Sequence, residues 1–176
     1  MTRIAHCCCG SLRAEVTGEP ALVAACHCME RQRRTGSPFG VGAYFPKERV
    51  RTEGPNKVYV RGCDSGRKVE CHFCPDCGST VFWRPEFVPD LIGIAFGAFA
   101  DPSMPRPVLS VWETTRYPWV TFDHELDHYG RQLEPSESPV TAAISFAPLS
   151  SLSSTSATPS AFIGDEAEVG VWNAAR

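Results

Sequence analysis

A surplus of basic residues is missing from this sequence: 17 lysines and arginines face 20 acids, a formal net charge of −3. Residues 132–176 hold five of the acids and one of the bases, which leaves 15 acids against 16 bases in residues 1–131. A body so near neutrality makes no electrostatic case for generic binding to nucleic acid or to a membrane surface. A long apolar run is missing too. The longest, Leu91 to Ala100, is far too short to span a bilayer. Arg3 and His6 lead into cysteines instead of the apolar stretch of a secretory leader. The expected location is therefore the cytoplasm, with no membrane partner. Helical periodicity is also lacking, and only Asp123 to Tyr129 leaves room for one short turn.

Cysteine, by contrast, is plentiful. There are nine, an odd number, and in a reducing compartment metal explains them better than disulfides. A chain of 176 residues with 43% hydrophobic content suffices for one ordinary domain with a core.

Between residues 10 and 131 the pattern is one of short strands broken by Gly and Pro. Leu12, Ala14 and Val16 alternate with polar residues before the turn Gly18-Glu19-Pro20. Ala21 to Ala25 delivers the chain to Cys26. Further strands are expected at Val41–Phe45, Lys57–Arg61, Lys68–Phe73, Thr80–Trp83, Leu91–Phe99, Val108–Trp112 and Trp119–Phe122. This is an all-β chain, a sandwich or half-open barrel. After Leu133 the character changes: residues 135–160 hold nine serines and one charged residue, Glu137. Such a stretch offers few large side chains to offset the cost of ordering its backbone. The expected division is a β domain over residues 1–133 and a disordered tail over 134–176.

The clearest motif is Cys74-Pro75-Asp76-Cys77-Gly78, in which the glycine lets the chain turn back so that two thiolates meet one metal. A redox Cys-x-x-Cys would open a helix, but here Gly78-Ser79 and the β-prone Thr80-Val81-Phe82-Trp83 follow. Two more ligands are needed, and the candidates are Cys7-Cys8-Cys9-Gly10 and Cys26-His27-Cys28. Cys7 and Cys9 are the expected partners: the Cys-x-Cys spacing puts both on one side of an extended chain, with Cys8 facing away. Four thiolates close a site, so this Zn2+ is structural.

Cys26 and Cys28 repeat that spacing, and Arg31-Gln32-Arg33-Arg34-Thr35-Gly36-Ser37 beyond them reads as a basic, polar loop. Taken together, Cys7-x-Cys9-Gly10, Cys26-His27-Cys28, Arg34-Thr35-Gly36-Ser37-Pro38-Phe39 and Phe73-Cys74-Pro75-Asp76-Cys77-Gly78-Ser79 resemble the glutathione-dependent formaldehyde-activating enzyme family, which shares its domain with centromere protein V. The resemblance runs from about Ala5 to Gln132 and includes Tyr117-Pro118-Trp119.

The resemblance implies an all-β, zinc-clamped, tent-like domain of the Mss4-like type. Its structural zinc would be held by Cys7, Cys9, Cys74 and Cys77. It implies a second, catalytic zinc on Cys-x-Cys-x-x-Cys, which here reads Cys26-His27-Cys28-Met29-Glu30-Arg31, an arginine standing at the third ligand. Arginine cannot ligate and its charge repels the cation. His27, Glu30, His72, Cys8, Cys63 and Cys71 are the conceivable replacement ligands, with surplus cysteines more often acting as small hydrophobes.

The implied reaction joins glutathione and formaldehyde, or another small aldehyde, to give S-(hydroxymethyl)glutathione. It is a carbon–sulfur lyase run in reverse, with Cys26 and Cys28 as catalytic residues and Arg31 implying weakened or altered activity. His27, Arg33 or Arg34 could serve the developing alkoxide, and arginines suit the carboxylates of glutathione. His27, between two candidate ligands, is expected on the opposite face. The alternative is a non-catalytic interaction module that keeps only the structural zinc.

Overall fold

The computed structural model describes residues 1–64 and 66–131. The stretch expected to form a tail, 134–176, lies outside the described residues. Three antiparallel strands, β1 (Thr2–His6), β2 (Arg13–Thr17) and β5 (Val50–Glu53), make a small sheet in the order β1-β2-β5. Its inward face follows from period-two alternation: Ala5, Ala14 and Val16 are fully buried while their neighbours are exposed.

The larger sheet has eight strands. It adds β3 (Leu22–Cys26), β4 (Gly40–Pro46), β6 (Lys57–Gly62), β7 (Lys68–Phe73), β8 (Thr80–Pro85), β9 (Leu91–Ala95), β10 (Leu109–Val111) and β11 (Asp127–Tyr129), in the order β11-β10-β3-β4-β9-β8-β7-β6. Pairing is antiparallel from β3 through to β6, whereas β10 runs parallel to both β3 and β11. Both faces of this sheet are covered. One face packs Phe45, Phe82, Ile94 and Phe99 against Leu12, Ala14 and Val16 of the first sheet and its approach. The other gathers Cys26, Tyr44, Cys71, Trp83, Leu109 and Val111 in a second cluster. The all-β architecture read from the sequence is the architecture found.

Several details differ from expectation. Residues Met29–Thr35 form a helix, α1, where a loop was expected. Its only buried residue is Arg31, so no apolar stripe announces it. It is held by local chemistry instead. Glu30 lies in its first turn and Arg33 and Arg34 in its last, matching the helix dipole. Gly36, at φ +66°, closes it with an N–H to the Gln32 carbonyl at 2.8 Å. The Gln32 amide reaches outward to the carbonyls of His27 and Thr115 at 2.7 and 3.0 Å.

The expected helical turn at Asp123–Tyr129 is instead irregular chain ending in β11, whose partner is the parallel strand β10. The expected strand at Trp119–Phe122 is irregular as well, and Leu91–Phe99 leaves the sheet at Ala95 for a 3-10 turn over Phe96–Phe99. The strands β1 and β5 were not anticipated.

Candidate active site and metal centre

The first cluster is built by two turns. At the end of β1 the chain reverses through Gly10, at φ +81°, whose N–H reaches the Cys7 carbonyl at 3.0 Å. Between β7 and β8 it reverses through Gly78, at φ +73°, whose N–H reaches the Cys74 carbonyl at 2.9 Å. A bulge follows: Val81 is the extra residue between the pairs Phe73–Thr80 and His72–Phe82, and it re-aims β8 as it leaves the turn.

The two turns bring the sulfurs of Cys7, Cys9, Cys74 and Cys77 within 4.8 Å of one another. Cys9 lies 3.4 Å from Cys7 and 3.5 Å from Cys74, and the Leu12 N–H points at the Cys7 sulfur at 3.2 Å. A soft donor set of this size is compatible with zinc. The Ser79 hydroxyl and nearby N–H groups pull Cys77 down to about 5, while burial pushes Cys74 up to about 12. Residues 8–10 form a turn and not the extended chain expected; Cys8 lies outside the four-sulfur group, and its sulfur accepts from the Ser79 hydroxyl at 3.2 Å.

The second cluster lies on the other side of the large sheet, where the end of β3, α1, β6, β7 and β8 enclose a cavity of about 400 Å³. Cys26, Cys28, Cys63 and Cys71 all line it, and so do Arg31, Arg34, Arg61 and Arg131. These thiols do not form a metal cluster: among the described residues, the group of three or more candidate ligands brought together is the first one. The remaining sequence candidates are placed elsewhere. His27 is fully buried on the opposite face, its Nε2 3.1 Å from the Ser110 hydroxyl and its ring against Phe39 and Phe122. His72 stacks on Phe82 and bonds Asn56 at 2.8 Å. Glu30 reaches the rim but accepts from Arg33 at 2.9 Å, and Arg33 is outside the cavity.

Arg31 occupies the centre of this site. Its guanidinium lies 4.6 Å over the Trp83 ring, and that of Arg34 lies 5.3 Å over the same ring. Glycines make this possible. A Cβ at residue 40 would come within 2.6 Å of the Arg31 side chain, and Cβ atoms at 42 and 93 would meet the Trp83 indole at 2.7 and 2.2 Å. Cys28 is held at about 6 by its hydrogen bond from Cys26 and, more weakly, by the charge of Arg31; Cys26 is raised by the same pairing and by burial. Burial opposes the charge on Arg31, but Tyr44 and the two cysteines outweigh it. For Arg34 burial and the charge of Arg31 prevail and weaken its hold on the proton. Trp83, Tyr44 and Gly40 were missed in the sequence because none is a chemical motif. Their signal is three-dimensional, a large ring over backbone without side chains.

The model of the family described as glutathione-dependent formaldehyde-activating enzyme matches residues 2–115, which include both cysteine clusters. The chain belongs to the glutathione-dependent formaldehyde-activating enzyme family. No curated protein matches it individually. Among solved structures, a crystal structure of a Rhodobacter sphaeroides protein aligns at 18% identity and a TM-score of 0.45, covering 58% of this chain and 90% of that one. Within the family's pattern, the residues present do not fit a second metal. Among the described residues Cys26 and Cys28 have no third donor gathered beside them, and a buried cation, Arg31, stands at the third position. No helix among the described residues is long and apolar enough to cross a membrane.

Proposed function

We propose that this protein catalyses the reversible addition of glutathione to formaldehyde or another small aldehyde, a carbon–sulfur lyase-type reaction, in the cavity beside Cys26 and Cys28. The observation that carries the reading is family membership over residues 2–115, and the size of the cavity supports it, since small-ligand sites span roughly 300–1,000 Å³. The four-cysteine clamp would hold one structural zinc, fixing the turns that join the two sheets.

The reaction asks for a thiolate, a held aldehyde and charge relief on oxygen. Arg31 and Arg34 supply fixed positive charge on one wall, favouring the ionised form of an incoming thiol. The thiolate attacks the carbonyl carbon, a carbon–sulfur bond forms, and the carbonyl π pair moves to oxygen. Cys28, part-exposed in the cavity, is placed to accept the proton of the incoming thiol and return it to that oxygen. Cys26, buried beside it, holds Cys28 in place. His27 takes no part in this scheme, because its ring faces Ser110.

The test is the rate of S-(hydroxymethyl)glutathione formation followed by NMR against the uncatalysed mixture. The wild-type chain should exceed the background, and Arg34→Gln should reduce the excess by about tenfold or more, as loss of one charge-stabilising group does. If the wild type and Arg31→Cys, which restores the family's third cysteine, both stay at background, the lyase reading fails. A fully folded chain with one zinc and no rate enhancement is then the non-catalytic interaction module.

A further inference from the structure

Arg31 is only 9% exposed, and among the described residues the groups acting on it and on Arg34 are tyrosine, cysteines and other arginines, with no carboxylate. Inside the protein the charge of Arg31 is met by Tyr44, Cys26 and Cys28, none of which offers the two-oxygen edge that a guanidinium pairs with in a carboxylate. The part-buried Arg34 shares the same Trp83 ring, and both guanidinium groups line one cavity, so two like charges face the same space. We propose that the Cys26–Cys28 cavity is a carboxylate-binding site, in which Arg31 and Arg34 take the place that a second metal ion has in the family's pattern. Guanidinium groups recognise carboxylates through paired N–H donors, and stacking on an aromatic face does not use up those in-plane donors.

The packing argues that Arg31 is built into the fold. Gly40 leaves room for its stem, while Gly42 and Gly93 leave room for the ring that carries it. Leu91, Leu109 and Val111 give the cavity an apolar wall suited to the carbon chain of a small acid. Arg61 and Arg131 at the rim offer a second anion contact, and the acids facing them are Asp64 and the Arg33-engaged Glu30. The ligand class is therefore a small organic carboxylate. Its two sources are glutathione, bound through its carboxylates, and an unrelated dicarboxylic acid.

The proposal rests on the proposed function only in taking this cavity as the substrate site, and its test needs no turnover. The zinc-loaded full chain is titrated calorimetrically with S-methylglutathione, whose sulfur is blocked, and with glutarate. Binding of the first alone identifies glutathione-type ligands, and binding of both identifies a general carboxylate site. In either case Arg34→Gln and Arg31→Met should each weaken binding by roughly tenfold or more. Arg31→Cys should lose the carboxylate and take up a second equivalent of zinc.

Absence of binding by both acids overturns the proposal. Binding unaltered in Arg34→Gln overturns it equally, and since Arg34 is only part-buried, that variant serves even if an Arg31 variant does not fold. A wild-type chain that takes two equivalents of zinc, or an Arg31→Cys chain that stays at one, overturns the replacement of metal by arginine. A chain that binds the acids without accelerating adduct formation leaves this site standing and removes the lyase.

Discussion

At the scale of single residues, the exchange of cysteine for arginine at position 31 reorganises more than one ligand. A zinc ion would hold its thiolates through short bonds, whereas a guanidinium holds them through charge and hydrogen bonds and keeps its donors available to others. The neighbours have adapted to a long side chain. Gly40→Ala would place a methyl group 2.6 Å from Arg31 Cδ, in the middle of the stem, where it cannot swing clear. The variant should fold with a stability loss of about 1–3 kcal/mol, as overpacking usually causes. It should also lose carboxylate affinity as Arg31 leaves the Trp83 face. Chemical denaturation and calorimetric titration measure the two effects separately, and unchanged affinity would show that the stacked position of Arg31 is immaterial.

At the scale of elements, β7 and β8 are joined on one face by a histidine on a phenylalanine ring. His72 stacks on Phe82 with ring centres 4.2 Å apart, and burial, assisted by Arg84, depresses it from an ordinary 6.5 to about 4. The folded chain thus refuses a proton that the unfolded chain accepts. Stability is unaffected above pH 6.5 and declines as pH falls from 6.5 towards 4. His72→Phe keeps the stack and removes the proton, so its stability difference from wild type should shift in favour of the variant over that window. Denaturation of both chains between pH 4 and 7 checks this, and acid release of zinc, common to both, cancels in the difference. A parallel pH dependence in the two chains would mean that His72 does not titrate there.

The strand pattern was largely legible because it depends on side chains that alternate in the sequence itself. Leu12, Ala14 and Val16 announce β2, and the cysteine knuckle announces the β7–β8 turn. The small helix α1 was not legible, since Arg31 is its one buried residue and its anchors, Gln32 to His27 and Thr115, are contacts between distant chain positions. β11 was missed for a related reason: Asp127–Tyr129 pairs in parallel with β10, and parallel pairing leaves no local turn signal. Of the site, the cysteine positions were readable and the ring, glycines and arginine stack that shape the cavity were not.

At the scale of the molecule, the four-cysteine group ties the end of β1 to the β7–β8 turn and hence the small sheet to the large one. The two sheets share a core that includes Cys7 and Cys74, but Cys9 and Cys77 are exposed and no core packing holds their side of the cluster. Metal removal should therefore weaken the junction. Treatment with a strong chelator should release one equivalent of zinc and lower the thermal midpoint by well over ten degrees, since structural zinc contributes folding free energy directly. Metal analysis with a calorimetric scan measures both. A midpoint that is insensitive to chelation would show that the sheets hold each other without the ion.

The clamp also has a consequence in time. Cys9 and Cys74 are 65 positions apart, and at a synthesis rate of about 5–20 residues per second the first pair waits several seconds for the second. During that interval the next thiols to emerge after the Cys7–Cys9 run are Cys26 and Cys28, which could complete a wrong four-sulfur set around the ion. The positive charge that follows them at residue 31 opposes such a premature capture. Refolding of Arg31→Cys with a single equivalent of zinc should therefore be slower than that of the wild type, and equal rates would show that the charge at residue 31 does not steer the ion.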